Sequence, residues 1–96
     1  MYLYNISIIV EDNSHDALID WVKKEWINNL PVESKFLKML NNPHEGHTYC
    51  VQIVVSTEQQ VIEIQSREVA MLQSYIGSNH PEKAFIFDSV MQYLTK

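Results

Sequence analysis

Four histidines, His15, His44, His47 and His80, are the residues in this 96-residue chain best able to do chemistry near neutral pH. His44-Glu45-Gly46-His47 also sets two imidazoles and a carboxylate side by side. A transition metal needs three or four such ligands converging within about 2.0–2.2 Å of one point. Spacing alone forces no convergence here, and solvated loop histidines account for the pattern. No metal ligand is therefore assigned and no cofactor is expected. Cys50 is the single cysteine, so no intramolecular disulfide can form. A catalytic thiol needs a cationic neighbour, and none is evident; Cys50 reads as a small apolar residue. Asp88 stands in an apolar stretch with no second carboxylate paired to it by spacing. With only Gly46 and Gly77, the chain has no phosphate-cradling glycine loop. No catalytic residue is assigned.

These residues must be positioned by regular elements. Tyr2 to Val10 alternates, with Tyr4, Ile6, Ile8 and Val10 on one side and Leu3, Asn5, Ser7 and Ile9 on the other, the period of a strand. Asn13 or Ser14 then suits a helix cap, and His15 to about Asn29 carries Leu18, Trp21, Val22, Trp26 and Leu30 at helical spacing. Pro31 ends that helix. Lys35 to Asn41 is a weaker strand, and the Asn-Asn-Pro-His-Glu-Gly run is a turn. Thr48 to Val55 alternates cleanly: Tyr49, Val51, Ile53 and Val55 against Thr48, Cys50, Gln52 and Val54. Ser56 followed by Gln59 fits a capping box. A long helix follows, with Val61, Ile62 or Ile64, Val69, Leu72 and Ile76 on its apolar stripe. Gly77 is expected as its left-handed C-terminal cap, before Pro81. Ala84 to Leu94 is the last strand.

The order β-α-β-β-α-β predicts a ferredoxin-like α+β domain over residues 1–96: a four-stranded antiparallel sheet with two helices on one face. The other face is left bare. Its expected members include Leu3, Asn5, Ser7, Ile9, Thr48, Cys50, Gln52 and Val54, joined by Asp88 or Ser89. A face half apolar and half uncharged-polar suits a surface buried in a homodimer. Asn5, Ser7, Cys50, Gln52 and Asp88 are the candidate lining of a small-molecule pocket there.

Composition excludes other classes. Hydrophobic residues make up 46% and charged residues 20%, a globular balance. Seven basic against twelve acidic residues give a formal charge of −5, without the basic footprint of a nucleic-acid binder or of a protein drawn to anionic membranes. An RNA-binding domain on this fold would need stacking aromatics on the central strands, where Asn5, Ser7, Cys50 and Gln52 stand instead. No run is long enough to span a bilayer, and the apolar start does not read as a signal peptide, which makes the cytoplasm the default compartment.

Tyr4-Asn5 in the first strand, Trp21 in the first helix, and Thr48-Tyr49 with Val51-Gln52 in the third strand resemble the domain-of-unknown-function family DUF4286 along nearly the whole chain. The segment Asn29–Phe36 departs from the family pattern, being short and without a glycine. Members of that family resemble dimeric α+β barrel proteins, in which two bare sheet faces meet across a two-fold axis. The resemblance implies a homodimer and assigns no activity. The expected role is non-catalytic interaction or small-ligand binding. The alternative is a cofactor-free enzyme with an intersubunit pocket near Asn5, Ser7, Gln52 and Asp88, a reading that rests on fold analogy.

Overall fold

The computed structural model describes residues 1–41 and 45–95. Strand β1 (Tyr2–Val10) lies between β3 (His47–Val55) and β4 (Ala84–Gln92), and the short β2 (Lys35–Lys38) pairs with β3. The sheet order is β2-β3-β1-β4 and every pairing is antiparallel. The pleat sends Tyr4, Ile6, Ile8 and Val10 to one face, together with Tyr49, Val51, Ile53 and Val55. All eight are buried, as the alternation predicts. The pairing of β2 with β3 sets Lys35 opposite Gln52 and Lys38 opposite Tyr49.

Helix α1 (Asp12–Trp21) starts earlier than the cap residues predict. Neither Asn13 nor Ser14 is the cap; the position belongs to Glu11, whose side chain caps nothing. A tertiary bond explains the shift: Glu11 N–H donates to the Lys83 carbonyl at 2.9 Å, which turns the chain directly after β1. The helix continues through a wide turn of π geometry at Val22–Trp26 and a tight one at Ile27–Asn29. Leu18, Ile19, Val22 and Trp26 are buried, while Trp21 and Leu30 pack at the margin of the core.

The second helical segment runs as α2 (Glu58–Ile64), a π turn (Gln65–Val69) and α3 (Ala70–Asn79). Its capping box is one residue later than expected. Thr57 Oγ1 accepts from Gln60 N–H at 3.3 Å, and Gln60 Oε1 accepts from Thr57 N–H at 3.2 Å and Ser56 N–H at 2.8 Å. Val61, Ile64, Val69, Leu72 and Ile76 enter the core, and Ile62 faces outward. The two helical segments are tied to each other as well as to the sheet. Trp26 Nε1 donates to the Glu68 carbonyl at 2.8 Å, joining one π turn to the other. Trp21 stacks on Tyr75 with centroids 3.7 Å apart.

Gly77 lies inside α3 rather than capping it, and His80 takes the cap position. The left-handed residue of that connection is Glu82, at φ 62°. Gly46, at φ +84°, is the glycine the backbone requires: a Cβ there would fall 2.4 Å from the Val10 carbonyl oxygen. Two strands stop short of their expected ends. β2 finishes at Lys38, with one more bond from Met39 N–H to the Thr48 carbonyl, and β4 at Gln92.

Candidate functional site

The face away from the helices carries a grid of residues fixed by the register. Gln52, Asn5 and Ser89 form one row, with Lys35 at its β2 end. Leu37, Cys50, Ser7 and Phe87 form the next. Thr48, Ile9 and Phe85 lie on one side of these rows, and Val54, Leu3 and Met91 on the other. Only Lys35, on the edge strand, bears a charge. Four of the five candidate lining residues come together at its centre. Gln52 Nε2 donates to Asn5 Oδ1 at 3.4 Å, Asn5 Nδ2 to Ser7 Oγ at 3.1 Å, and Ser7 Oγ meets Cys50 Sγ at 3.7 Å. The result is a continuous uncharged polar strip between two apolar flanks.

Asp88 does not join them. It pairs with Ile6 across the β1–β4 ladder, and directly opposed residues share a face, so its side chain lies on the helix side. There Tyr4 Oη donates to Asp88 Oδ2 at 2.6 Å, and Gln65 Nε2 donates to the same oxygen at 3.3 Å. Tyr4 is fully buried, and its phenol is held well above the ordinary value of 10.0. Burial is the largest cause, followed by the hydrogen bond to Asp88 and that carboxylate's charge. In place of Asp88, the face holds Phe85, Phe87 and Met91, about half exposed and not anticipated from sequence. Their signal was present in the odd positions of Ala84–Gln92, but apolar residues at both parities hid the phase.

The histidines also differ from expectation. His15 is in α1 and His47 opens β3, and their rings approach to 4.0 Å between centroids. His15 Nδ1 faces Asp16 Oδ1 at 2.8 Å and Nε2 faces Tyr49 Oη at 2.6 Å; His47 Nε2 faces Asp12 Oδ1 at 2.8 Å. Burial, and then the Asp16 charge, push the Tyr49 phenol above its ordinary value. Both nitrogens of His15 are thus engaged and Tyr49 is buried, so the cluster ties α1 to β3. His80 is buried at the end of α3, with its ring 5.8 Å from Tyr75. These three are not solvated loop residues, and His44 lies outside the described residues. Among the described residues no group of three or more histidines, cysteines and carboxylates is placed to hold a metal ion. No helix among them is long and apolar enough to cross a membrane.

A βαββαβ chain with helices on one sheet face and the other bare defines the ferredoxin-like α+β class, and solved structures of that class superpose on it. An EthD (ethyl tert-butyl ether) family protein from Bacillus halodurans matches with a TM-score of 0.61 at 9% identity, over 93% of this chain and 97% of that one. A DABB (dimeric α+β barrel) family protein with a ferredoxin-like fold from Mesorhizobium loti matches with a TM-score of 0.52 at 9% identity, over 97% and 100%. At such identity the likeness is one of fold. No curated protein matches the sequence at a significant level. The chain belongs to the DUF4286 family, described as a domain of unknown function, whose profile matches residues 1–94.

Proposed function

We propose that two copies of this chain pair through their bare sheet faces. The dimer then serves a non-catalytic interaction or small-ligand-binding role, with Asn5, Ser7, Cys50 and Gln52 lining the space between subunits. One observation carries this reading: a four-stranded face whose sole charge, Lys35, sits at its margin. From strand spacing and rise the sheet presents on the order of 500 Å² in projection, more once side-chain relief is counted. That approaches the roughly 800 Å² per partner of a standard specific interface. A patch of several hundred Å² is near the upper end of what soluble monomers expose and often marks a binding surface. A two-fold contact would set one polar strip against another, where amides and hydroxyls can bond to each other or to a small ligand.

The enzymatic alternative asks for Asp88 and a second titratable group in the same pocket. Asp88 is instead on the opposite face, bonded to Tyr4, which favours binding over catalysis. Light scattering on the wild-type chain at micromolar concentration tests the proposal. The expected mass is twice the 11.2 kDa of one chain. A mass of one chain, independent of concentration, would remove the dimer and the intersubunit pocket together.

A further inference from the structure

The two edges of the sheet are built differently. At one edge, β2 has four residues with Lys35 and Lys38 at its ends, the short charged form that discourages pairing with another chain. At the other, β4 runs for nine residues without a lysine, a proline or a bulge. The ladder fixes which of its backbone groups are used. Glu11 N–H donates to the Lys83 carbonyl and Tyr93 N–H to the Met1 carbonyl, one bond at each end of the β1–β4 pairing. Bonded pairs alternate along an antiparallel ladder, and the register between these two bonds is unbroken. The odd residues of β4 therefore bond to β1. The even ones, from Ala84 to Gln92, turn their N–H and C=O groups outward, where no further strand follows.

A row of such groups suits one kind of occupant, an extended chain that adds a strand to the sheet. The even side chains of β4 lie on the helix side, so that side selects the sequence. A groove of about 370 Å³ opens there between β4 and α2, with Val61, Ile62 and Val90 in its apolar wall. Asp88 is the only charge of β4, and Glu58 also lines the groove. Both are exposed, and neither has an ion-pair partner among the described residues. Asp88 Oδ2 accepts from Tyr4 and Gln65, which leaves Oδ1 for a cation. A second copy of β4 fits poorly. Antiparallel self-pairing through all the outward groups sets Asp88 opposite Asp88, between chains of formal charge −5. We propose that the β4 edge binds an extended segment of a partner protein, antiparallel to β4, whose lysine or arginine lies opposite Asp88 and whose residues opposite Ile86 and Val90 are apolar. The site uses the edge and the helix side of the sheet, so it goes beyond the face-to-face dimer and does not depend on it.

The probe is the acetylated, amidated peptide Thr-Val-Thr-Lys-Thr-Val-Thr, titrated to millimolar concentration and followed by amide hydrogen exchange in NMR spectra. Binding should saturate, and the amides of Ile86, Asp88 and Val90 should become protected. Those of Phe87 and Ser89 already bond to β1 and should change little. N-methylation of the lysine amide, which points at β4, should abolish binding. N-methylation of the following threonine, whose amide points away, should leave it. Glutamate in place of the lysine turns an attraction into a repulsion and should weaken binding about tenfold. Asp88→Asn keeps an acceptor for Tyr4 and should remove most of that difference. Absence of saturable binding, or equal loss from the two N-methylated peptides, would overturn the proposal. So would protection of the Ile86, Asp88 and Val90 amides in the chain alone, since a second copy would then already hold the edge. A lysine preference unchanged in Asp88→Asn would overturn the role given to that carboxylate.

Discussion

Tyr4 is a buried phenol whose hydroxyl is spent on Asp88, and that bond has a consequence for stability at alkaline pH. Its proton is held more tightly in the folded chain than in the unfolded one, because ionisation would put a charge into the core beside a carboxylate. Below 10.0, the ordinary value for the phenol, both states keep the proton and stability is unaffected. As pH rises past that value the unfolded chain releases it first, so stability declines. Tyr49, shifted the same way, adds to the loss. Urea melts at stepped alkaline pH should show falling stability, and Tyr4→Phe should flatten the slope while leaving the Tyr49 part. The same substitution should cost about 1 kcal/mol at neutral pH, the net worth of a typical hydrogen bond. An unchanged slope in Tyr4→Phe would place the alkaline sensitivity elsewhere.

Among the elements, the two glycines make opposite demands. Gly46 turns the chain into β3 at a positive φ, with the Val10 carbonyl where a Cβ would stand. Gly77 is a helix-interior residue with nothing within 4 Å of such a Cβ. Gly77→Ala should therefore stabilise α3 by about 0.5–1 kcal/mol, through helix propensity and a less flexible unfolded chain. Gly46→Ala should destabilise by about 1–3 kcal/mol from backbone strain, with the clash adding to it. Thermal melts would read the two as shifts of opposite sign, and a rise in both would contradict the turn geometry. The helical segments also show how side chains choose among local options. Ser56 or Thr57, with Gln59 or Gln60, could each have formed a capping box, and Thr57–Gln60 is the pair that the end of β3 leaves in place.

For the whole molecule, a charge placed in the middle row of the bare face separates the dimer reading from a merely soluble sheet. Phe87 is 61% exposed on that face and Ile62 is 54% exposed on the helix side. Phe87→Lys should halve the scattering mass, because a lysine there would be desolvated without a partner. Ile62→Lys, an equal change of charge on the other surface, should leave the mass at two chains. If both variants kept the wild-type mass, the interface would have to lie elsewhere.

The alternation of β1 and β3 and the apolar stripes of the helices were legible in the sequence, since burying one face imposes a period of two on a strand and 3.6 on a helix. From these follow the element order, the core and the strip of Asn5, Ser7, Cys50 and Gln52. The family resemblance was legible too, in residues that position the fold. What the tertiary structure decided are the features that need a partner from far along the chain. Asp88 stands in a strand with apolar residues at both parities, and only its pairing with Ile6 assigns it to the helix side. His15 and His47 are far apart in sequence and meet because α1 lies over the start of β3. The pairing of β2 with β3 from Lys35 to Lys38 is likewise visible only in the register, where the sequence pattern ran on to Asn41.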